Sequence, residues 1–316
     1  MTLPYIRSAI AAILLCVSAA QAAENITLRI GFLRGPTDLA LAKEKGTLEK
    51  ALAAHHVKVE WAGPFSAAAP AYEALNAGSV DLTTGSSTAF VTAIAAGLPL
   101  KFFAYQAMPA EGEGIVVRKA SSIASLNDLR GKKVAVNKGG TGEYLLSRAL
   151  SSAGIPEGAV QKVYLSPSDT GTAFVGGHVD AWATWDPFLS LARQSYDARP
   201  VANGKQVGSE NAAGYFVSEA FSQAHPQVLK WVYEVLQQEN AWAKTHQTEA
   251  GEIWAKQMGQ LGNGLAEQLG RVNTVPVTPV DASAIGHIQH IADWYVQQGM
   301  IKTRPDIASH VVTLSP

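Results

Sequence analysis

Short apolar runs and helically spaced apolar positions take turns along the first two-thirds of the chain. Ile26-Thr-Leu-Arg-Ile-Gly31 alternates apolar with polar residues and predicts a strand, and Asp38–Ala54 then repeats apolar positions at helical spacing. Val57–Trp61 predicts a second strand, residues 70–77 a helix, Val80–Thr84 a strand, and a helix starts near Ser87 before the strand Lys101–Tyr105. Strands separated by helices predict βαβ units and a mainly parallel sheet.

The same order returns about a hundred residues later: strand Lys133–Asn137, helix Thr141–Ala153, strand Lys162–Leu165, short helix Thr170–Val175 and strand Val179–Thr184. Leu75-Asn-Ala-Gly-Ser-Val-Asp81 matches Phe174-Val-Gly-Gly-His-Val-Asp180. Each predicts a helix stopped by glycine and a strand begun through Val-Asp. Two similar α/β lobes follow. Beyond about residue 222 the pattern is helical. Pro226 starts one helix with Val228, Trp231, Val232, Val235 and Leu236 on its apolar face, and Thr278-Pro279 opens another with Ile285, Ile288, Ala292 and Tyr295. These faces are expected to cover the first lobe.

Composition narrows the possibilities. The 316 residues are 47% hydrophobic and 16% charged, enough for a large core, and the net charge of -1 offers no basic surface for nucleic acid. Met1–Ala22 reads as a secretory signal: one charge at Arg7, an apolar stretch too short to span a bilayer, and Ala20-Gln21-Ala22 as a cleavage site. Leu15 before Cys16 does not fit a lipoprotein site, so release is expected rather than anchoring. Cys16 is the sole cysteine, and its removal with the signal excludes disulfides, thiolate metal sites and a cysteine nucleophile. A soluble periplasmic protein is the expectation.

Catalytic motifs are scarce. There is no G-x-S-x-G, no dinucleotide fingerprint and no Walker A sequence, although Gly139-Gly-Thr-Gly142 resembles part of a phosphate loop. His287 and His290 lie three apart without a third ligand at useful spacing. No metal, cofactor or reaction is expected. Instead, three strand-to-helix turns carry small polar residues: Arg34–Thr37, Ser86-Ser87-Thr88 and Gly139–Gly142. In open α/β sheets such turns sit where ligands bind, and helix N-termini offer free N–H groups and a favourable dipole to anions. Thr37, Ser86, Ser87, Gly140, Thr141 and Gly142 are therefore candidate ligand contacts, although Ser87 and Thr141 also suit plain N-caps. Trp185 and Asp186 close the last strand of the second lobe and are candidates for an apolar wall and a polar contact. Glu113 stands near the chain crossing, where its carboxylate would suit an ammonium-bearing ligand. Asp81 and Asp180, duplicated at equivalent strand starts, read as structural.

Val163-Tyr-Leu-Ser-Pro-Ser-Asp169, leading through Ala173-Phe174, Gly177 and Val179-Asp-Ala-Trp182 to Trp185-Asp-Pro-Phe188, resembles the periplasmic solute-binding proteins of ABC importers for aliphatic sulfonates. Leu126-Asn-Asp-Leu-Arg-Gly-Lys132 fits the broader sulfonate, taurine and nitrate family. Two features depart from it. Phe32-Leu33-Arg34 stands where sulfonate binders often carry Tyr-Gln-Lys, and Ser86-Ser87 is closer to taurine-type relatives. The resemblance implies a two-lobe type II binding-protein fold with mixed, mainly parallel sheets: residues 23–107 plus 213–316 as lobe 1, and 108–212 as lobe 2. It implies a monomer that closes by hinge motion on a small anion and delivers it to a membrane permease. The sulfonate would meet Ser86, Ser87 and Thr141, and its tail would meet Phe65, Trp185 and Tyr215. Nitrate, a pyrimidine vitamin precursor and an aromatic sulfonate or sulfate ester stay open as ligands, and an enzyme on the same fold as a remote alternative.

Overall fold

The computed structural model describes residues 26–259 and 264–314; the signal segment and Cys16 lie outside them. The first α/β block comprises β1 (Ile26–Leu33), α1 (Asp38–Lys45), α2 (Thr47–Ala53), β2 (Val57–Phe65), α3 (Ala68–Asn76), β3 (Leu82–Ser86), α4 (Ser87–Ala95) and β4 (Leu100–Ala107). The second has β5 (Glu113–Arg118), β6 (Lys133–Val136), α5 (Thr141–Ser152), β7 (Gln161–Tyr164), α6 (Pro167–Val175), β8 (Ala181–Trp185), α7 (Phe188–Ser195) and β9 (Ala198–Asn203). A one-turn helix α8 (Gly204–Val207) leads into β10 (Ala212–Ser218). The chain ends with α9 (Glu219–Ala224), α10 (Pro226–Thr245), α11 (Gln247–Gln257), α12 (Leu265–Asn273), β11 (Val277–Pro279) and α13 (Ala282–Gln297).

The strands form two sheets, one in the order β11-β4-β10-β3-β1-β2 and the other β7-β6-β8-β5-β9. Aligned from one edge, β2-β1-β3-β10-β4 matches β7-β6-β8-β5-β9. The first three strands are parallel, and β10 or β5 then runs antiparallel to both of its neighbours. The duplicated aspartates do the same work in each copy. The Asp81 carboxylate accepts from Arg29 N at 2.8 Å, and Asp180 accepts from Lys133 N at 2.8 Å, so each fastens its strand start to the neighbouring parallel strand.

Alternation along the strands separates the faces. In the first sheet Leu28, Ile30, Tyr215 and Val217 pack under α1, α2 and α10, while Phe102 and Phe216 pack under α3, α4 and α13. In the second, Ile115, Val117, Val134 and Val136 face α5, whereas Val116, Ala135 and Trp182 face α6 and α7. Of the C-terminal helices, α10 and α13 thus cover the two faces of the first sheet, as their stripes predict.

Two predicted boundaries shift. The helix expected over 38–54 is broken at Gly46, whose φ of 64° lies in the left-handed region that glycine enters without steric cost. Thr278-Pro279 begins no helix. Val277–Pro279 instead pairs with Gln106–Ala104 at the sheet edge, where proline's missing N–H can face away from the ladder, and Asp281 caps α13 by accepting from Ala284 N at 2.8 Å.

Candidate functional site: a cavity between the two sheets

The central parallel strands β1, β3, β6 and β8 all direct their carboxyl ends toward one crevice. Four strand-to-helix turns meet there: Leu33–Thr37, Thr84–Ser86, Asn137–Thr141 and Trp185–Pro187. Gln106–Pro109, leaving β4, and Asn273 with Val275 complete the wall. The cavity measures about 100 Å³. At roughly 10–15 Å³ per enclosed water, that is room for a small solute and too little for a polymer segment.

Thr37, Ser86, Thr141, Trp185 and Asp186 line the cavity. Two of the lining hydroxyls, Ser86 and Thr141, are oriented by donors behind them. Ser86 Oγ accepts from Ala89 N at 3.3 Å and from Thr88 Oγ1 at 3.1 Å, which leaves its own proton available. Thr141 Oγ1 accepts from Asn211 Nδ2 at 3.0 Å. Two partners orient the Asn211 amide: Nδ2 also donates to Glu113 Oε1 at 2.7 Å, while Oδ1 accepts from Ser87 Oγ at 3.1 Å. Ser87 Oγ in turn accepts from Ala212 N, so its proton is the one on Asn211. Ser86 and Thr141 therefore each keep a proton to donate, which suits a group that accepts.

Six expected contacts stand elsewhere. Ser87 is the buried link in that chain, and the N-cap of α4 is Ser86. Glu113 is buried, with its oxygens taken by Ser209 and Asn211. Burial pushes its carboxyl up to about 7 despite those two bonds, and it holds Asn211 rather than facing the cavity. Gly140 and Gly142 pack behind the wall. A Cβ on Gly142 would lie 2.4 Å from the Ala183 carbonyl oxygen, and the Gly142 N–H already donates to Asn137 Oδ1 at 2.7 Å. Tyr215 is buried under α1, where its hydroxyl donates to Asp38 Oδ2 at 3.0 Å and accepts from Asp38 N. Phe65 lines a neighbouring cavity instead. Asp186 accepts from Ser190 N at 3.0 Å and Ser190 Oγ at 2.7 Å, and α7 begins two residues later, after Pro187. Burial holds its carboxyl above the usual range, opposed by the bonds from Ser190.

Arg34, Gln106 and Asn137 line the cavity without having been singled out as ligand contacts. Arg34 is exposed and makes no ion pair or hydrogen bond among the described residues. Its place in the turn after β1 was the available signal. Gln106 is held by its donation to the Val275 carbonyl at 2.8 Å and to Asp38 Oδ2 at 3.2 Å. Asp38 is fully buried, and desolvation raises its carboxyl to about 7 against hydrogen bonds from Tyr215, Asn240 and Gln106. His287 donates from Nε2 to the Glu210 carbonyl, and no cluster of three or more metal-ligating side chains occurs among the described residues.

Residues 38–250 match the family described as NMT1/THI5 like. The chain belongs to that family. Among NMT1/THI5-like relatives, a curated protein of Escherichia coli K12 named for aliphatic sulfonate binding is 30% identical across 97% of this chain and 95% of its own length. The alkanesulfonate-binding protein SsuA from Xanthomonas axonopodis pv. citri, solved with MOPS bound, superposes with a TM-score of 0.85 at 30% identity, covering 92% of this chain and 99% of that one. The periplasmic aliphatic sulphonate binding protein SsuA from Escherichia coli gives 0.80 at 29% identity, covering 92% of each. The architecture is that of these binding proteins: two α/β sheets with mixed strand directions and a crevice between them.

Proposed function

We propose that this protein is a periplasmic, monomeric solute-binding protein that captures aliphatic sulfonates in the inter-sheet cavity and delivers them to the membrane permease of an ABC importer. The observation that carries this reading is the cavity's polarity. One unpaired guanidinium, Arg34, and two hydroxyls with protons to donate, Ser86 and Thr141, share a wall with Leu33, Met108, Trp185 and Val275. A sulfonate presents three acceptor oxygens and no donor, so these groups compensate its desolvation while the alkyl tail meets the apolar wall. The relatives named for aliphatic sulfonates support the same ligand class.

Closure follows from where the donors sit. Ser86 belongs to the first sheet and Thr141 to the second, so an anion touching both binds the closed arrangement better than an open one and shifts the population toward it. The lining contains no histidine, lysine or cysteine, and neither hydroxyl is bonded to a base among the described residues, which supports binding without reaction.

Thermal unfolding in sulfate-free buffer tests this with ethanesulfonate, pentanesulfonate, taurine and nitrate. A ligand at about 100 times its Kd adds roughly 2.7 kcal/mol, which moves the midpoint by several degrees. Shifts with the alkanesulfonates are expected. No shift with any sulfonate, alongside a shift with nitrate, overturns the ligand assignment.

A further inference from the structure

A second cavity adjoins the first. It measures about 300 Å³ and is walled by Phe65, Trp182, Phe188, Leu191, Tyr196 and Met258. Arg34 lines both cavities. The chain passes from one to the other in two further places. Leu33 of the first cavity pairs across β1 and β2 with Phe65 of the second. Trp185 of the first meets Phe188 of the second edge to face, with ring centroids 5.8 Å apart.

We propose that the second cavity is a subsite for an aromatic ring carried on the ligand's tail, so that the physiological substrates include aryl-bearing sulfonates as well as short alkanesulfonates. This rests on the sulfonate reading of the first cavity. The smaller chamber has the preset donors and fits a headgroup, whereas the larger one has four aromatic side chains and a methionine and fits a ring. Trp182 and Phe188 are at most 7% exposed and are held in the core of the second sheet, so the wall is preformed. Aromatic edges and faces at these spacings favour a ring over a flexible chain of equal area, and the methionine thioether adapts to its outline. Arg34 stands at the junction with no protein partner among the described residues. Its guanidinium can hold sulfonate oxygens through its N–H groups while its flat face covers the ring.

Walls that come from both sheets also explain why the ring would matter for closure. Phe65 belongs to β2 of the first sheet, and Trp182 and Phe188 belong to the β8–α7 corner of the second. A ring between them adds contacts that exist only when the two sides are together, in the same sense as the headgroup contacts.

Exposed serines on opposite sides of this cavity provide the test. Ser66 and Ser168 both line it, and substitution of either by tryptophan fills the space from solvent without removing a core side chain. Calorimetric titration compares 2-phenylethanesulfonate with ethanesulfonate on the wild-type protein, Ser66→Trp and Ser168→Trp. The phenyl compound is expected to bind the wild type on the order of tenfold tighter or more. That advantage should shrink to within about twofold in at least one tryptophan variant, with ethanesulfonate affinity unchanged. Equal affinities in the wild type overturn the subsite, as does an advantage that survives both substitutions. If neither sulfonate binds the wild-type protein, the reading of the first cavity falls with it.

Discussion

Asn211 decides what the cavity can recognise without touching it. Its amide is held between Ser87 and Glu113, so Thr141 accepts from it and keeps its own proton for a ligand. Thr141→Val keeps the shape and removes that donor. A hydrogen bond to a charged group is worth about 1.5–3 kcal/mol, so sulfonate affinity should fall by at least about tenfold by calorimetry, with Thr141→Ser recovering most of it. An affinity within twofold of wild type for the valine variant would remove Thr141 from the site. Asp186 gives a second expectation at this scale. Its buried carboxyl titrates above the usual range, and ionisation places negative charge on the wall facing an anion. Ethanesulfonate binding should weaken as pH rises through that titration, and Asp186→Asn should flatten the profile. Taurine, whose ammonium is attracted by the same charge, should weaken less. Thr37, Ser86 and Thr141 were legible as cavity residues because helix starts after parallel strands are marked by local residue types. Asn211 was not, because its orientation is set by Glu113 and Ser87, 98 and 124 residues away.

At the scale of elements, α11 and α12 approach each other through two glycines. A Cβ on Gly251 would stand 1.9 Å from the Ala266 carbonyl oxygen, and one on Gly270 would stand 1.9 Å from that of Gln247. Each glycine admits the other helix's backbone, and no side-chain rearrangement can relieve such a clash. The pair leans on the cavity: Trp254 of α11 donates from Nε1 to the Thr37 carbonyl at 3.1 Å, and Asn273 ends α12 in the cavity wall. Gly251→Ala should cost about 1–3 kcal/mol or more in denaturant unfolding and weaken ligand binding, whereas Gly286→Ala, whose Cβ meets nothing within 4 Å, should do neither. An unchanged midpoint for Gly251→Ala would show that the helices part freely. The α/β repeat was readable because period and glycine stops are local. The glycine contact and strand β11 were not, since each is defined by a partner distant in sequence.

For the whole molecule, Asp38 and Glu113 make stability depend on pH in an unusual direction. Burial is the main cause in both, raising them from ordinary values of 3.8 and 4.5 to about 7. Below the ordinary values both states hold the protons. Between there and about 7 the unfolded chain has released them and the folded protein has not, so stability falls as pH rises and levels off above about 7. Asp128 and Asp293, whose hydrogen bonds lower their carboxyls, slope the opposite way, but only at the acid end. Denaturant unfolding from pH 5 to 8 should show the decline, reduced in Glu113→Gln; an equal slope in the variant would mean that Glu113 is ionised throughout. The placement of β10 has another consequence, one of timing. The second sheet is complete within Glu113–Asn203, but β3 and β4 have no common neighbour until Ala212–Ser218 inserts between them. As the chain emerges from its N-terminus, the lobe begun first is the lobe finished last. Its central gap stays open through the synthesis of more than a hundred residues, and the long loop that must close makes that step slow. Under the proposed periplasmic role the chain would cross a membrane before it works, and late completion would keep the N-terminal half threadable.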